Sequence, residues 1–132
     1  MLLDNASKYA PENTEIRVIA AQRDALHVTI EVADQGPGIP PPLRERVFEK
    51  FYRVPGREPA DPKRAGIGLG LPIARRLVEA QGGRMWIQSA HVSGGTAVMM
   101  TLPGAPPLAA AAIAQSSPVV TSQEPVIPDG YR

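Results

Sequence analysis

Residues 66–76, GIGLGLPIARR, place three glycines at alternate positions directly before a helix-like run. Glycine is costly there unless the backbone must turn tightly or a ligand must come close to it. The start of a helix offers unpaired N–H groups and the positive end of the helix dipole, and both attract phosphate. The stretch therefore predicts a phosphate-binding turn, with a purely structural glycine-rich hinge as the alternative.

Two common phosphate-binding motifs do not fit this run. A P-loop places lysine and then serine or threonine directly after its last glycine, whereas Leu71 and Pro72 follow Gly70. A dinucleotide-binding fingerprint follows the first strand directly, whereas a charged loop precedes these glycines and their spacing is G-x-G-x-G. Another fold must therefore use them.

A second candidate binding motif is DQGPGI, residues 34–39. It places Asp34 at the end of a strand-like segment, in front of two closely spaced glycines. A partly sheltered carboxylate can accept a hydrogen bond from an exocyclic amine such as that of adenine. A plain turn explains the same residue types equally well.

The N-terminal segment LLDNASKYAP, residues 2–11, has apolar residues at helical spacing and ends at Pro11. Asn5, Lys8 and Tyr9 fall near one another on one face of that helix. An amide oxygen suits Mg²⁺, a lysine can meet phosphate, and a tyrosine ring can pack against a base or ribose. Taken alone, this segment is better explained as a solvated helix face.

Four segments alternate apolar and polar residues, which is the pattern of strands with one buried face. The first two are separated by Arg23 and Asp24 and predict an antiparallel hairpin, and the last two are joined by a turn at residues 93–95. The segments are TEIRVIAAQ (14–22), ALHVTIEVAD (25–34), RMWIQSA (84–90) and TAVMMTLP (96–103).

Helices and one long loop connect these strands. A short helix is expected over residues 43–51, anchored by the aromatic side chains of FEKFYR. Residues 53–65 carry three prolines and six charged residues, and such a long loop within a compact domain is more often functional than idle. A helix is expected over 72–80, ending at the Gly82–Gly83 pair. Its expected inward residues are Ile73, Leu77 and Val78.

Composition limits the classes of function. A chain of 132 residues fits one domain with a modest core, and a net charge of +1 gives no argument for nucleic acid or an anionic membrane. No cysteine is present, which excludes disulfides and thiolate metal sites, and His27 and His91 stand too far apart for zinc-ligand spacing. No apolar run approaches the ~20 residues of a membrane span, and the N-terminus lacks the profile of a signal peptide.

The C-terminal segment, residues 104–132, differs from the rest. It holds five prolines and three charged residues, and it cannot bury enough apolar surface to hold itself folded. A disordered tail is expected there, behind a domain that covers residues 1–103.

In their order and spacing, four motifs resemble the N, G1, F and G2 boxes of the Bergerat-type ATP-binding catalytic domain of two-component sensor histidine kinases. The resemblance covers residues 1 to about 103. It implies an α/β fold: a two-layer sandwich with a mixed, mostly antiparallel sheet under helices, and ATP bound between the helices and a flexible lid. The matching stretches are LLDNASKYAP, DQGPGIP, FEKFYR and GIGLGLPIARRLVEAQGGRMWIQS.

The resemblance also implies a role for each matching residue. Asn5 coordinates a Mg²⁺ that bridges the phosphates of ATP, Lys8 contacts phosphate, and Tyr9 packs along the adenine or ribose. Asn5 and Lys8 are thus the candidate catalytic residues, and Asp34 receives the adenine amino group. Residues 54–65 form the lid. The other implied nucleotide contacts are Gly36, Gly38, Ile39, Arg53, Gly66, Gly68, Leu69, Gly70, Leu71 and Thr96.

Some features of the family are missing from the sequence. Its first helix, its edge strand and its phosphoacceptor hairpin are absent, which leaves a sheet edge exposed. Neither His27, in a strand, nor His91, at a strand end, fits the phosphoacceptor position. Ile67 stands where the family often has threonine or serine. The isolated chain is therefore expected to bind nucleotide weakly and not to phosphorylate itself.

The expected function is that of a protein-histidine kinase domain, which transfers the γ-phosphoryl group of Mg-ATP to a histidine for relay to an aspartate of a response regulator. The expected partners are the kinase's own dimerisation domain and the regulator, without nucleic acid or direct membrane contact. The domain is expected in the cytoplasm, in a parent protein that is either free or membrane-anchored. The alternatives are a related Bergerat-fold ATPase, an anti-sigma-factor serine kinase, or a truncated, non-catalytic nucleotide-binding or interaction module.

Overall fold

The computed structural model describes residues 1–59, 61–90, 94–104 and 119–122, the last as a backbone strand only. These residues form two α-helices and five strands, and three short 3₁₀ turns follow one another between the second strand and the second helix. The helices are α1 (Leu2–Tyr9) and α2 (Gly70–Ala80), and the strands are β1 (Ile16–Asp24), β2 (His27–Ala33), β3 (Arg84–Ser89), β4 (Thr96–Pro103) and β5 (Val119–Ser122). The 3₁₀ turns span Pro41–Leu43, Arg46–Phe48 and Pro62–Arg64.

The strands form one sheet in the order β3-β4-β2-β1-β5, and every pairing among the described strands is antiparallel. The register pairs Ile30 with Met100 and Val32 with Val98, so apolar residues of neighbouring strands share one face. The helices cover that face, which confirms the two-layer α/β sandwich expected from the sequence.

The main core lies between α2 and two neighbouring strands of the sheet, the edge strand β3 and the inner strand β4. Met85 is the most deeply buried large side chain, with 1% of its surface exposed. Helix α2 contributes a stripe at positions i, i+3 and i+7, as an amphipathic helix does. The core residues are Ile39, Val47, Leu71, Ala74, Val78, Met85, Ile87, Val98 and Met100.

The end of α2 matches its expected glycine stop. Gly82 has a φ of +80°, its N–H donates to the Glu79 carbonyl, and the Gly83 N–H donates to the Val78 carbonyl. These two bonds make a Schellman motif, which requires a left-handed residue after the helix and so favours glycine.

Two predictions about α2 and the segment before it were wrong. Ile73 and Leu77 are 44% and 52% exposed, because the buried stripe runs through residues 71, 74 and 78 and leaves these two on the flank. The helix expected over 43–51 is instead two 3₁₀ turns. The backbone bonds here reach only three residues back, from the Leu43 N–H to the Pro40 carbonyl and from the Phe48 N–H to the Glu45 carbonyl, which is the 3₁₀ pattern.

The hairpin between β1 and β2 also turns later than predicted. The sequence pattern predicts the turn at Arg23 and Asp24, whereas β1 continues to Asp24 and the chain turns at Ala25 and Leu26. The Asp24 carboxylate accepts a hydrogen bond from the Leu26 N–H at 2.8 Å, which closes the turn.

The strand β5 pairs with the outer edge of β1, from Ile16 opposite Ser122 to Ile19 opposite Val119. The prediction of a disordered tail is therefore wrong for these four residues. Three of them, Val119, Val120 and Thr121, are β-branched and favour a strand beside an open edge. The segments 105–118 and 123–132 lie outside the described residues, and the domain boundary at residue 103 stays a prediction. Within the described residues, no helix is long and apolar enough to cross a membrane.

We expect that shortening the chain to residues 1–104 will unprotect the edge of β1, because the backbone groups that pair with β5 will face water. Amide hydrogen exchange should speed up in residues 16–19, and the shortened chain should associate at high concentration through its bare edge. Amides of β3, at the opposite edge, serve as the internal control. Unchanged exchange over residues 16–19 would show that β5 does not protect this edge.

Candidate functional site

An open cavity of about 260 Å³ lies between α1, the segment after the second 3₁₀ turn, and the start of α2. It brings together three of the sequence motifs, although Asn5 and Leu71, which both line it, stand 66 positions apart in the chain. The predicted site residues that line it are Asn5, Lys8, Tyr9, Arg53, Gly66, Gly68, Leu69, Gly70 and Leu71.

The N-terminus of α2 faces this cavity without a cap. The N-cap residue Leu69 forms no side-chain hydrogen bond, and the first turn contains no acidic residue. Gly70 and Leu71, the first two helical residues, line the cavity. Free N–H groups and the positive end of the dipole therefore point to an anion as the guest.

Gly68 shapes the turn before that helix. Its φ is +78°, and a Cβ there would lie 2.9 Å from the backbone of Phe51. The Phe51 N–H donates to the Gly68 carbonyl at 2.9 Å, which ties the glycine run to the start of the charged loop. Only glycine combines this left-handed conformation with this close approach.

Lys8 and Asn5 supply the polar side chains from α1. The Lys8 ammonium lies 2.9 Å from the Asp4 carboxylate, which also lies 3.4 Å from Arg64 of the charged loop. The hydrogen bond from Lys8, with the charges of Lys8 and Arg64, lowers the pKa of Asp4. Asn5 is half-buried, and none of the hydrogen bonds in the described part of the chain uses its side-chain amide. Its amide oxygen is therefore available to a ligand.

Asp34 lies deeper, at the end of β2, and is 3% exposed. Its carboxylate accepts a hydrogen bond from the Gly36 N–H at 2.8 Å, and its own N–H donates to the Thr96 carbonyl at 2.8 Å. Burial raises the pKa of Asp34, and the Gly36 hydrogen bond and the charge of Arg57 counter that rise only in part. A buried, only partly satisfied carboxylate can accept a further hydrogen bond from a ligand amine.

Arg57 is the residue of this site that has no counterpart in the sequence motifs. It comes from the charged loop and is 7% exposed, its Nη2 donates to the Thr96 hydroxyl at 3.2 Å, and its guanidinium stacks on the Tyr9 ring at 4.0 Å. Burial lowers its pKa, which the charge of Asp34 partly restores. Nothing in the sequence distinguishes Arg57 from the other charged residues of residues 53–65.

The remaining predicted residues lie around Asp34 rather than in the open cavity. Gly38 has a φ of +74° and comes so close to the Gly94 carbonyl that a Cβ would meet it at 2.6 Å. Ile39 is 5% exposed and packs in the main core beside Val47 and Leu71. Thr96 is 1% exposed. The site thus has an open part beside α2 and a closed part at the end of β2.

A family model and the sequences of similar proteins assign the chain to the same family. Residues 1–106 match the family described as histidine kinase-, DNA gyrase B- and HSP90-like ATPases. The chain is 42% identical over 108 residues to the signal transduction histidine-protein kinase/phosphatase MprB of Mycolicibacterium vanbaalenii, covering 80% of this chain and 22% of that protein. It is 39% identical over 102 residues to the adaptive-response sensory kinase SasA of a Nostoc species, covering 77% of this chain and 24% of that protein.

Solved structures agree with these relatives. The mycobacterial sensor histidine kinase MprB superimposes with a TM-score of 0.69 at 38% identity, covering 80% of this chain and 66% of that one. Full-length ShkA in complex with AMPPNP superimposes with a TM-score of 0.62 at 31% identity, covering 85% of this chain and 22% of that one. The chain spans less than a quarter of the length of these curated relatives.

The close approach at Gly36 gives a test of the site's geometry. A Cβ at this position would lie 2.8 Å from both the Asp34 carboxylate and the Tyr9 carbonyl. Gly36→Ala should therefore destabilise the fold by about 1–3 kcal/mol, as overpacking does. Gly70→Ala is the matched control, because its methyl group meets nothing within 4 Å and should cost no stability. Urea unfolding measures both, and equal stability of the two variants would contradict the described contact.

Proposed function

The chain belongs to the family of histidine kinase-, DNA gyrase B- and HSP90-like ATPases, and we propose that its cavity binds Mg-ATP as the ATP-binding catalytic domain of a sensor histidine kinase. The observation that carries this proposal is the position of the uncapped N-terminus of α2 opposite Asn5 and Lys8 across one cavity. A helix N-terminus, an ammonium group and a free amide together suit a polyphosphate and its metal ion.

We assign the phosphates of ATP to the open part of the cavity. The backbone N–H groups of the glycine run, Gly66 to Gly70, and the first turn of α2 would donate to phosphate oxygens. Lys8 lies beside Gly66, where a Cβ would meet its ammonium at 3.4 Å, so the lysine charge adds to the same place. Arg53 lines the same part of the cavity. These contacts neutralise the charge that phosphoryl transfer spreads over the phosphate oxygens.

We assign Mg²⁺ to Asn5. Within the described residues, no cluster of three or more histidine, cysteine or carboxylate side chains could hold a metal ion. This fits a magnesium ion held mainly by phosphates and water, because Mg²⁺ keeps most of its waters and takes few protein ligands. The unoccupied amide oxygen of Asn5 is a suitable ligand of this kind, and the bound ion would offset phosphate charge.

We assign the base to the end of β2. The Asp34 carboxylate would accept the adenine amino group, and Tyr9, which lines the cavity, would supply an aromatic face. Gly36 and Gly38 would let the base approach this end of β2, because neither carries a side chain. The low exposure of Asp34 supports this assignment, since a buried acceptor discriminates strongly against bases without a matching donor.

We propose that the chain's side chains position the nucleotide and that the phosphoryl acceptor comes from elsewhere. Of the two histidines, His91 lies outside the described residues. His27 lies on the hairpin, where its Nδ1 bonds to the Asp24 carboxylate at 2.9 Å, and it does not line the cavity. We propose that a dimerisation domain supplies the acceptor histidine, that a response regulator receives the group afterwards, and that this relay takes place in the cytoplasm. Catalysis is then mainly alignment and charge neutralisation.

Asn5→Ala should remove the magnesium dependence of nucleotide binding. Titration calorimetry with ADP should show that Mg²⁺ raises the affinity of the original chain. In the variant this increase should be about tenfold smaller, which corresponds to the loss of one charge-assisted contact. Gln81→Ala, at the far end of α2, serves as the control. An equal magnesium effect in Asn5→Ala and the original chain would contradict the metal assignment.

Phosphoryl transfer can be followed with γ-labelled ATP. We expect no label on the chain alone, and label on an added dimerisation domain of a related sensor kinase that carries the acceptor histidine. The phosphoramidate formed on histidine is lost in acid, whereas a phosphoserine ester survives it. Acid-stable label would favour the serine kinase alternative, and label on the isolated chain would contradict the assignment of the acceptor to another domain.

A further inference from the structure

The part of the site assigned to adenine is filled by a side chain of the protein itself. Arg57 lines the open cavity on one side and reaches Thr96, behind Asp34, on the other. Asp34 and Thr96 are 3% and 1% exposed, and neither lines the cavity. The route from the cavity to the proposed base acceptor is therefore occupied.

The guanidinium of Arg57 makes the kinds of contact expected of an adenine ring. It is planar and stacks on Tyr9 at 4.0 Å, as a base would. It donates an N–H to Thr96 and lies close enough to Asp34 for each charge to shift the pKa of the other. A base that packed on Tyr9 would need the aromatic face that this side chain covers, so the two cannot be bound together.

Arg57 is held weakly for a buried charge. The one hydrogen bond described for its side chain is that to Thr96, and its Nε is buried without a partner. In the described part of the chain, no carboxylate lies within ion-pair distance of it. A buried guanidinium without a paired carboxylate and with an orphaned N–H is costly, so a better-matched guest can displace it.

We propose that Arg57 occupies the adenine subsite in the nucleotide-free chain and acts as a built-in competitor that lowers the affinity for the base. The inference rests on the proposed function, because it takes Asp34 as the acceptor of adenine. The open part of the site remains accessible to phosphates, so Arg57 competes with the base and does not compete with a polyphosphate. The apparent dissociation constant for the nucleotide equals the intrinsic constant divided by the fraction of chains in which Arg57 is withdrawn. The smaller this fraction is, the weaker the binding.

The test compares Arg57→Met and Arg57→Ala with the original full-length chain. Methionine keeps much of the apolar volume without the charge, and alanine empties the subsite. Arg64→Met is the matched control, because Arg64 belongs to the same loop and is exposed. The bonds described for its side chain go to Ser7 and Asp4, at the edge of the cavity. Calorimetry with ADP, adenosine and inorganic tripolyphosphate separates the base from the phosphate part.

Both Arg57 variants should bind ADP and adenosine at least about fivefold more tightly than the original chain, which corresponds to an Arg57 withdrawn in a fifth of the molecules or fewer. Tripolyphosphate affinity should not rise, and Arg64→Met should show no gain specific to the base. If the original chain binds ADP and the Arg57 variants bind it equally or more weakly, the proposal that Arg57 competes with the base is overturned and the proposed function stands. ADP binding by none of the chains would overturn both.

A second measurement needs no nucleotide. The charge of Arg57 lowers the pKa of Asp34, which burial raises. Carbon NMR of the Asp34 carboxyl group should therefore show a higher pKa in Arg57→Met than in the original chain, and no change in Arg64→Met. The Asp34 carboxylate should then protonate at a higher pH in that variant. An unchanged Asp34 pKa would show that Arg57 does not occupy the subsite in solution, and it would overturn the proposal independently of nucleotide binding.

Discussion

The buried carboxylate of Asp34 is the constraint on which the rest of the site depends. It stands at the end of β2, where the chain leaves the sheet, and burial raises its pKa. Its surroundings must come close without covering it, which is why Gly36 approaches its oxygen and Gly95 approaches its carbonyl, both without space for a Cβ. A carboxylate that destabilises its own fold in this way is typical of a position kept for a ligand.

The two parts of the site follow from two different physical devices. The open part relies on the backbone: an uncapped helix start, a glycine turn tied to Phe51, and a lysine from α1. The closed part relies on side chains: Asp34 after β2, Thr96 at the start of β4 and Tyr9 at the end of α1 lie around one buried guanidinium. The backbone part is ready for an anion, whereas the side-chain part must exchange one occupant for another.

Much of this arrangement could be predicted from the sequence because it depends on local patterns. Alternation of apolar and polar residues predicts the four main strands, and Gly82 and Gly83 predict the end of α2. Four motifs in order predict the family. The errors arose where neighbours outweigh local preference. Periodicity predicts Ile73 and Leu77 on the inner face of α2, yet both are exposed. The stripe that packs against the sheet consists of Leu71, Ala74 and Val78. The tail was expected to be disordered because it cannot bury enough apolar surface by itself, yet four of its residues pair with the open edge of β1.

By itself, the sequence determined the family, the two-layer architecture and the residue types around the candidate phosphates, because glycine spacing, alternation and motif order are properties of the chain. Only the tertiary structure decided what occupies the site. Arg57 is one of six charged residues in a loop without periodicity, and nothing local marks it. Its role depends on Thr96, Tyr9 and Asp34, which lie 39, 48 and 23 positions away and meet it only when the sheet and α1 come together.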